Sequence, residues 1–362
     1  MTARWTFRVA GEEAHLPTML AAFALGTAGG FGAQAIGLPL PMLLGSLLVV
    51  SAAAILGFRP TGRVLGLPMP IRSGFIPVIG VSIGTAFTPG ILDEALRWWP
   101  SFAALLLYIP LAHVLSYALT RRIGGLDKPT SYYGTMPGGF IESIALGDQA
   151  GADGAYLTML QFLRLILCIV LIPIGFSLAT GHSVGSSTGA VIGGAEHVLT
   201  VTDWAILIVA GALGAWAGWK ARLPAYMVTG PFVLSALVHY LGWVEGGPPG
   251  WLIALTQLVV GTSLGARFAG RSPKILIHGF QLAGINVAAM LVLSTLFATA
   301  LYGIVGERWE AVFLAFAPGG LAEMALVALS LEISVIYVTL HHILRIILAV
   351  LLARAFAGRV LG

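Results

Sequence analysis

The chain has 362 residues, 58% of them hydrophobic and 9% charged, with a mean hydropathy of +0.93 and a net charge of +4. Soluble domains carry about a quarter charged residues, so this composition excludes a surface dispersed in water and fits lipid as the solvent. The positive charge is small and scattered over loops, which marks no nucleic-acid surface, and the single Cys168 excludes an internal disulfide or a thiol metal site.

A bilayer-spanning helix takes about 20 apolar residues. By that ruler the pattern predicts roughly ten to twelve passes. Arg4 and Arg8 precede the first apolar run, which is too long for a signal sequence and reads as a retained helix. In chain order the apolar segments lie at 16–36, 38–57, 73–88, 100–119, 132–148, 155–179, 203–220, 224–241, 251–268, 280–304, 311–331 and 334–356. Between the sixth and seventh lies the only long polar stretch, 180–202, rich in Gly, Ser, Thr and His. The expected organisation is a cytoplasmic tail over 1–15, a membrane repeat over 16–179, a polar linker over 180–202, a second repeat over 203–356 and a cytoplasmic tail over 357–362.

The two halves repeat each other. Leu38-Pro39-Leu40-Pro41-Met42-Leu43-Leu44-Gly45 returns as Leu223-Pro224-Ala225-Tyr226-Met227-Val228-Thr229-Gly230. Gly80, Ser82, Gly84 and Phe87 return as Gly261, Ser263, Gly265 and Phe268. Pro137-Gly138-Gly139 with Glu142 returns as Pro318-Gly319-Gly320 with Glu323, and Tyr156, Thr158, Leu163 and Arg164 return as Tyr337, Thr339, Leu344 and Arg345. The offset is 185 residues early and 181 later, which one deletion after the second segment explains. So many ordered matches indicate duplication.

Lys and Arg in short loops set orientation. Arg4, Arg8, Arg59, Arg63, Arg72, Arg121, Arg122 and Lys128 put the termini side and the 58–72 and 120–130 loops inside, while 89–99 and the linker lie outside. In the second half Lys220, Arg222, Arg267, Arg271, Lys274, Arg354 and Arg359 are inside. Six full crossings per half would return the linker to the basic side. Five crossings per half, with the Pro-Gly-Gly segment entering and leaving on one face, satisfy the charges. Gly and Pro in mid-segment also fit a broken or re-entrant element. The expected fold class is therefore all-α: a polytopic membrane protein of two inverted-topology repeats. Each has about five transmembrane helices plus one broken or re-entrant Pro-Gly-Gly segment, a signature of secondary transporters.

Several residues could carry chemistry. A half-helix after Pro137, Gly138 and Gly139, or after Pro318, Gly319 and Gly320, would aim free N–H groups and a positive dipole end at mid-membrane, where a carboxylate is attracted. The structural alternative is a tight kink for close packing. Glu142 and Glu323 fall in the first turn of those half-helices, as helix-start carboxylates or as proton- or sodium-coupling groups. Arg164 and Arg345 lie inside long apolar segments and require a partner, whether a glutamate, a substrate carboxylate or helix-end carbonyls. Gln161, His341 and His342 lie within about a turn of those arginines. Adjacent histidines point about 100° apart on a helix, so they read as hydrogen-bonding groups on a face and not as joint metal ligands. Ser82 and Ser263 sit among glycines and can lend hydroxyls, although that spacing also signals close packing. Asn286 is a polar group that could line a path, and Pro39 and Pro224 are expected to begin helices. No phosphate-binding loop, metal-ligand spacing or serine-nucleophile elbow occurs.

The doubled Leu-Pro-x-x-Met-x-x-Gly, Gly-x-Ser-x-Gly and Pro-Gly-Gly-x-x-Glu motifs resemble the AbrB-duplication family of bacterial inner-membrane proteins, over about 16–356. Names in that family include ammonia monooxygenase and AbrB regulator. More remotely the chain is similar to inverted-repeat cation/proton antiporters and anion transporters, among which glutamate and citrate symporters carry Gly-Gly re-entrant loops. The resemblance implies the bacterial cytoplasmic membrane with both termini inside, a secondary carrier of a small organic anion or amphoteric metabolite coupled to H+ or Na+, and a homodimer. The expected substrate-binding residues are the two Pro-Gly-Gly triplets with Ser82, Ser263, Arg164 and Arg345; Glu142 and Glu323 couple the ion, and Gln161, His341, His342 and Asn286 line the path. The expected partners are lipid, a small solute and the coupling ion. Nucleic acid, a catalytic residue, a metal and a cofactor are not expected. The alternatives are a membrane regulator acting indirectly on gene expression and, below it, a membrane mono-oxygenase subunit.

Overall fold

The computed structural model describes residues 5–9, 12–87, 90–181, 199–270 and 273–361. Apart from its ends, the polar linker of 180–202 lies outside the described residues, as do Arg4 and Arg271. A hairpin of β1 (Thr6–Val9) and β2 (Glu12–His15), paired antiparallel, precedes the helices. Polar alternation over so few residues left it unmarked in the sequence. Its Glu12 carboxylate accepts the Met69 backbone N–H at 2.9 Å.

The helices are α1 (Leu16–Ala35), α2 (Pro41–Ile55), α3 (Met69–Gly84), α4 (Ile91–Ala95), α5 (Trp99–Gly124), α6 (Lys128–Gly134), α7 (Phe140–Gln149) and α8 (Gly154–Thr180). They continue as α9 (Val201–Lys220), α10 (Tyr226–Tyr240), α11 (Gly250–Ala266), α12 (Pro273–Val305), α13 (Trp309–Phe316), α14 (Leu321–Ser330) and α15 (Val335–Leu361). Each apolar segment of the sequence becomes helical, and each Pro-Gly-Gly segment becomes two short helices around a gap. Among the described residues six helical stretches are long and apolar enough to cross a membrane: Leu16–Ala35, Leu96–Gly124, Gly154–Ala179, Val201–Lys220, Leu276–Val305 and Val335–Leu361. Leu106, Leu107 and Val114 on α5, Ile208 and Val209 on α9, and Val292 and Leu296 on α12 are exposed. Apolar faces of that extent fit a lipid-covered protein.

One local expectation is corrected. Pro39 and Pro224 do not begin helices: Leu40 and Ala225 take left-handed conformations, with φ of 44° and 48°, and the helices start at Pro41 and Tyr226. The strained turn lies at matching positions of the two copies, and the helix cannot begin until the backbone has left it.

The chain forms two compact units that cut across the repeats. The first comprises Met1–Thr88, Ile172–Ser272 and Leu329–Glu332. In it α1 packs on α2 and α9 on α10, while α2 packs on α11 and α10 on α3, so each copy also grips the other. Glycine permits these approaches. A Cβ on Gly45 would strike the Gly29 carbonyl, and one on Gly230 the Gly214 carbonyl. Lipid offers no hydrophobic drive between helices, so close backbone contact through small residues holds such pairs.

The second unit comprises Pro89–Leu171, Pro273–Ala328 and Ile333–Gly362. In it α12 lies along α5 and against α13, α15 against α5 and α13, and α6 against α5 and α7. Outside the spans, the loop between α12 and α13 carries Glu307, whose carboxyl is pushed up from about 4.5 to about 7 by burial and by the nearby Glu94 charge.

Two outcomes are expected. Gly45→Val and Gly230→Val should each lower stability by about 1–3 kcal/mol or more, the range for overpacking, measured by thermal unfolding in detergent. The folded state holds the Glu307 proton more tightly than the unfolded chain does, so stability should fall as pH rises from about 4.5 to about 7; in Glu307→Gln that slope should disappear.

Candidate functional site

A helix leaves its last four carbonyls without partners in the helix, and water is not at hand to satisfy them in a buried span. Two such ends arise in the second unit. Helix α6 stops at Gly134 and α7 starts at Phe140; α13 stops at Phe316 and α14 starts at Leu321. Pro137, Gly138, Gly139, Pro318 and Gly319 are buried in the gaps, with Gly320 half-buried. Gly139 has φ 71°, a conformation glycine adopts without steric penalty.

The arginines fill the carbonyl ends. Arg164 Nη1 donates to the Met136 carbonyl, and Arg345 Nη1 donates to the Ala317 carbonyl at the matching place in the second copy. One helical turn earlier the match repeats. Gln161 Nε2 donates to the Tyr133 carbonyl at 2.8 Å, and His342 Nε2 donates to the Leu314 carbonyl at 2.9 Å. Among the described residues the arginines take carbonyls at the ends of α6 and α13, one of the partners the sequence left open. A cation at a helix C-terminus also offsets its negative dipole end.

The copies then differ. Arg345 Nη2 donates further to the Gly319 carbonyl at 2.5 Å and to His342 Nδ1 at 3.1 Å. A carbonyl only accepts and a guanidinium only donates. His342 therefore carries its proton on Nε2 and is neutral. His341 turns away, with Nδ1 2.8 Å from the Tyr337 carbonyl and Nε2 2.8 Å from Ser101 Oγ. Arg164 shows no such further bonds, and Gln161 shares its Met136 carbonyl at 3.2 Å; the Nε of both arginines is buried without a partner.

The glutamates sit at the opposite ends of the gaps. Glu142 and Glu323 lie in the first turns of α7 and α14, the first half-buried and the second buried. Each carboxylate folds back over the second glycine of its triplet: a Cβ at Gly139 would lie 3.1 Å from Glu142 Oε2, and one at Gly320 would meet Glu323 Oε2. An acidic group at a helix N-terminus offsets the positive dipole end. Each gap thus has an arginine at its carbonyl end and a glutamate at its amide end.

The gaps are also crossed. A Cβ at Gly138 would lie 3.2 Å from the Ile346 Cα on α15, and one at Gly320 3.5 Å from Leu165 Cδ2 on α8. The gap of one copy therefore rests on the arginine-bearing helix of the other.

Asn286 also belongs to this unit, on α12, and donates to Thr120 Oγ1 at 2.8 Å. Ser82 and Ser263 belong to the first unit, buried on α3 and α11. The carbonyls of Met136, Ala317 and Gly319 went unrecognised in the sequence, because backbone acceptors have no residue signature. The 181-residue offset, which sets Gln161 opposite His342, was the available clue.

Leaving a buried acceptor unsatisfied costs about 1–3 kcal/mol. Arg345→Met strips the Gly319 carbonyl, with the Ala317 carbonyl left to the Gly319 N–H, and should destabilise by about 1–3 kcal/mol; Arg164→Met leaves the Met136 carbonyl to Gln161 and should cost less. Thermal unfolding of the two variants checks the order.

Comparison with known proteins agrees with the doubled motifs. The family described as "Transition state regulatory protein AbrB" matches residues 50–361. The chain is 26% identical over 366 residues to "Uncharacterized protein YhjN" of Bacillus subtilis (strain 168), covering 92% of this chain and 90% of that protein. It is 25% identical over 304 residues to "Putative regulator AbrB" of Escherichia coli (strain K12), covering 82% of this chain and 83% of that protein. Both helix gaps, both arginines and both glutamates fall within the matched residues, and the chain belongs to the AbrB family.

Proposed function

We propose that this protein is a secondary active transporter of a small organic anion or amphoteric metabolite, coupled to H+ or Na+, and a carrier instead of an enzyme. The single observation that carries this reading is the pair of matched gaps in the second unit, each with a buried arginine at one end and a glutamate at the other. Interrupted helices at matching positions of a duplicated membrane protein are where transporters bind their cargo. Buried ionisable groups in apolar spans are expensive and functional by default.

In this reading the two repeats run in opposite directions across a bacterial cytoplasmic membrane, with both termini inside, and the Pro-Gly-Gly gaps re-enter from opposite faces. The amide ends of α7 and α14 attract the anionic group of the solute. Glu142 and Glu323 carry the coupling ion. Glu142 is half-buried and Glu323 buried, each in the first turn of the helix that follows its gap. A homodimer completes the picture.

A second reading has one observation in its favour, the printed names of the family and of the Escherichia coli relative. There the protein regulates gene expression indirectly through a partner, and a cytoplasmic protein should co-purify with it.

The transport reading is tested with the full chain in nanodiscs and vesicles. A panel of dicarboxylates and amino acids is screened by thermal shift at several pH values, and the best hit is followed as a radiolabelled solute in proteoliposomes. An imposed proton or sodium gradient should accelerate uptake by the wild type, and Glu142→Gln with Glu323→Gln should reduce it to the level of protein-free vesicles. Uptake indifferent to both gradients would remove coupling from the proposal.

A further inference from the structure

The two copies of the arginine site do not have the same surroundings. Beside Arg164 lies a small cavity of about 10 Å³, lined by Ser116, Thr135, Leu160, Arg164, Asn286 and Met290 among others. That volume admits one water-sized group. Three buried polar atoms at this lining have no partner: Arg164 Nε, Ser116 Oγ and Asn286 Oδ1. Around Arg345 the 181-residue offset sets Phe297 at the place of Ser116, Phe316 at that of Thr135 and Leu105 at that of Asn286. There the space is filled by rings: Phe297 and Phe316 stand 5.4 Å apart, and Tyr108 lies 5.1 Å from Phe316. One copy is packed with aromatics where the other keeps a polar hole.

The lining selects the occupant. Asn286 Nδ2 is bonded to the Leu282 carbonyl at 2.9 Å and to Thr120 Oγ1 at 2.8 Å. A carbonyl only accepts, so the amide nitrogen must face Leu282, and Oδ1 is left as a free acceptor. Thr135 Oγ1 spends its proton on the Ser131 carbonyl at 2.7 Å, so it too can only accept. Arg164 Nε–H can only donate. A bare anion would meet the lone pairs of Asn286 and Thr135; a bare cation would meet the guanidinium. A neutral O–H group donates and accepts at once, and satisfies all three orphaned atoms.

We propose that this cavity is a binding site for a single neutral hydroxyl group, held between Arg164, Ser116 and Asn286 and occupied by water in the resting protein. The site stands whether or not the protein carries a solute. It supplies a partner to Arg164 Nε, whereas the further bonds of Arg345 to Gly319 and His342 run from Nη2 and leave the Arg345 Nε without one.

The test uses the full-length protein, crystallised for the structure and in nanodiscs for labelling. A structure at a resolution that places ordered waters should show one peak within hydrogen-bond reach of Arg164 Nε, Ser116 Oγ and Asn286 Oδ1. Crystals grown in bromide should show no anomalous signal there. An empty cavity, or a bromide signal in it, would overturn the proposal. Radiolytic hydroxyl labelling, which marks side chains beside bound water, gives an independent readout. Met290 and Leu160 should be labelled in the wild type and several-fold less in Asn286→Leu, the residue type of the other copy; equal labelling in both would also overturn it.

Discussion

A buried helix end needs hydrogen-bond donors, and in this protein a guanidinium supplies them. Gln161 gives the Met136 carbonyl one proton and the Gly319 N–H gives the Ala317 carbonyl one, and Arg164 and Arg345 supply the second donor at each. An arginine there would in turn be a bare charge without carbonyls to receive its protons. Each makes the other tolerable. The interruption in α6–α7 and in α13–α14, and with it the open ends of α7 and α14, depends on that exchange.

The first unit solves a different problem with different residues. It holds its helices by bringing backbones together at Gly29 with Gly45 and at Gly214 with Gly230. Small residues give rigidity of approach, and polar ones in the second unit give a gap that stays open. A carrier needs both, a stiff part and a part that can take a ligand, which is why the functional reading rests on the second unit.

Much of this was legible in the amino-acid order. The apolar runs became helices because lipid demands length and hydrophobicity in one stretch. The gaps were legible because Pro-Gly-Gly breaks a helix locally, whatever surrounds it, and the doubling of the motif made the pattern visible. Left-handed Leu40 and Ala225 were not, since non-glycine residues at positive φ are imposed by packing and not by preference. Nor was the choice of carbonyls by the arginines: α8 meets the end of α6 across 28 residues of chain, a contact set by tertiary crossing. The division into two units was hidden for the same reason. It joins α2 to α11 and α5 to α12, elements far apart in the chain.

That interleaving has a consequence for ancestry. Neither half of the chain contains a whole unit; α10 closes on α3, and the gap before α7 rests on α15. A progenitor of half this length would have been an obligate dimer of identical chains, both gaps lined alike by symmetry. Joining two such copies in one chain would release each half from that identity. Phenylalanines could then close one side while serine and asparagine stayed on the other, an inequality that no pair of identical subunits related by a two-fold axis could have maintained.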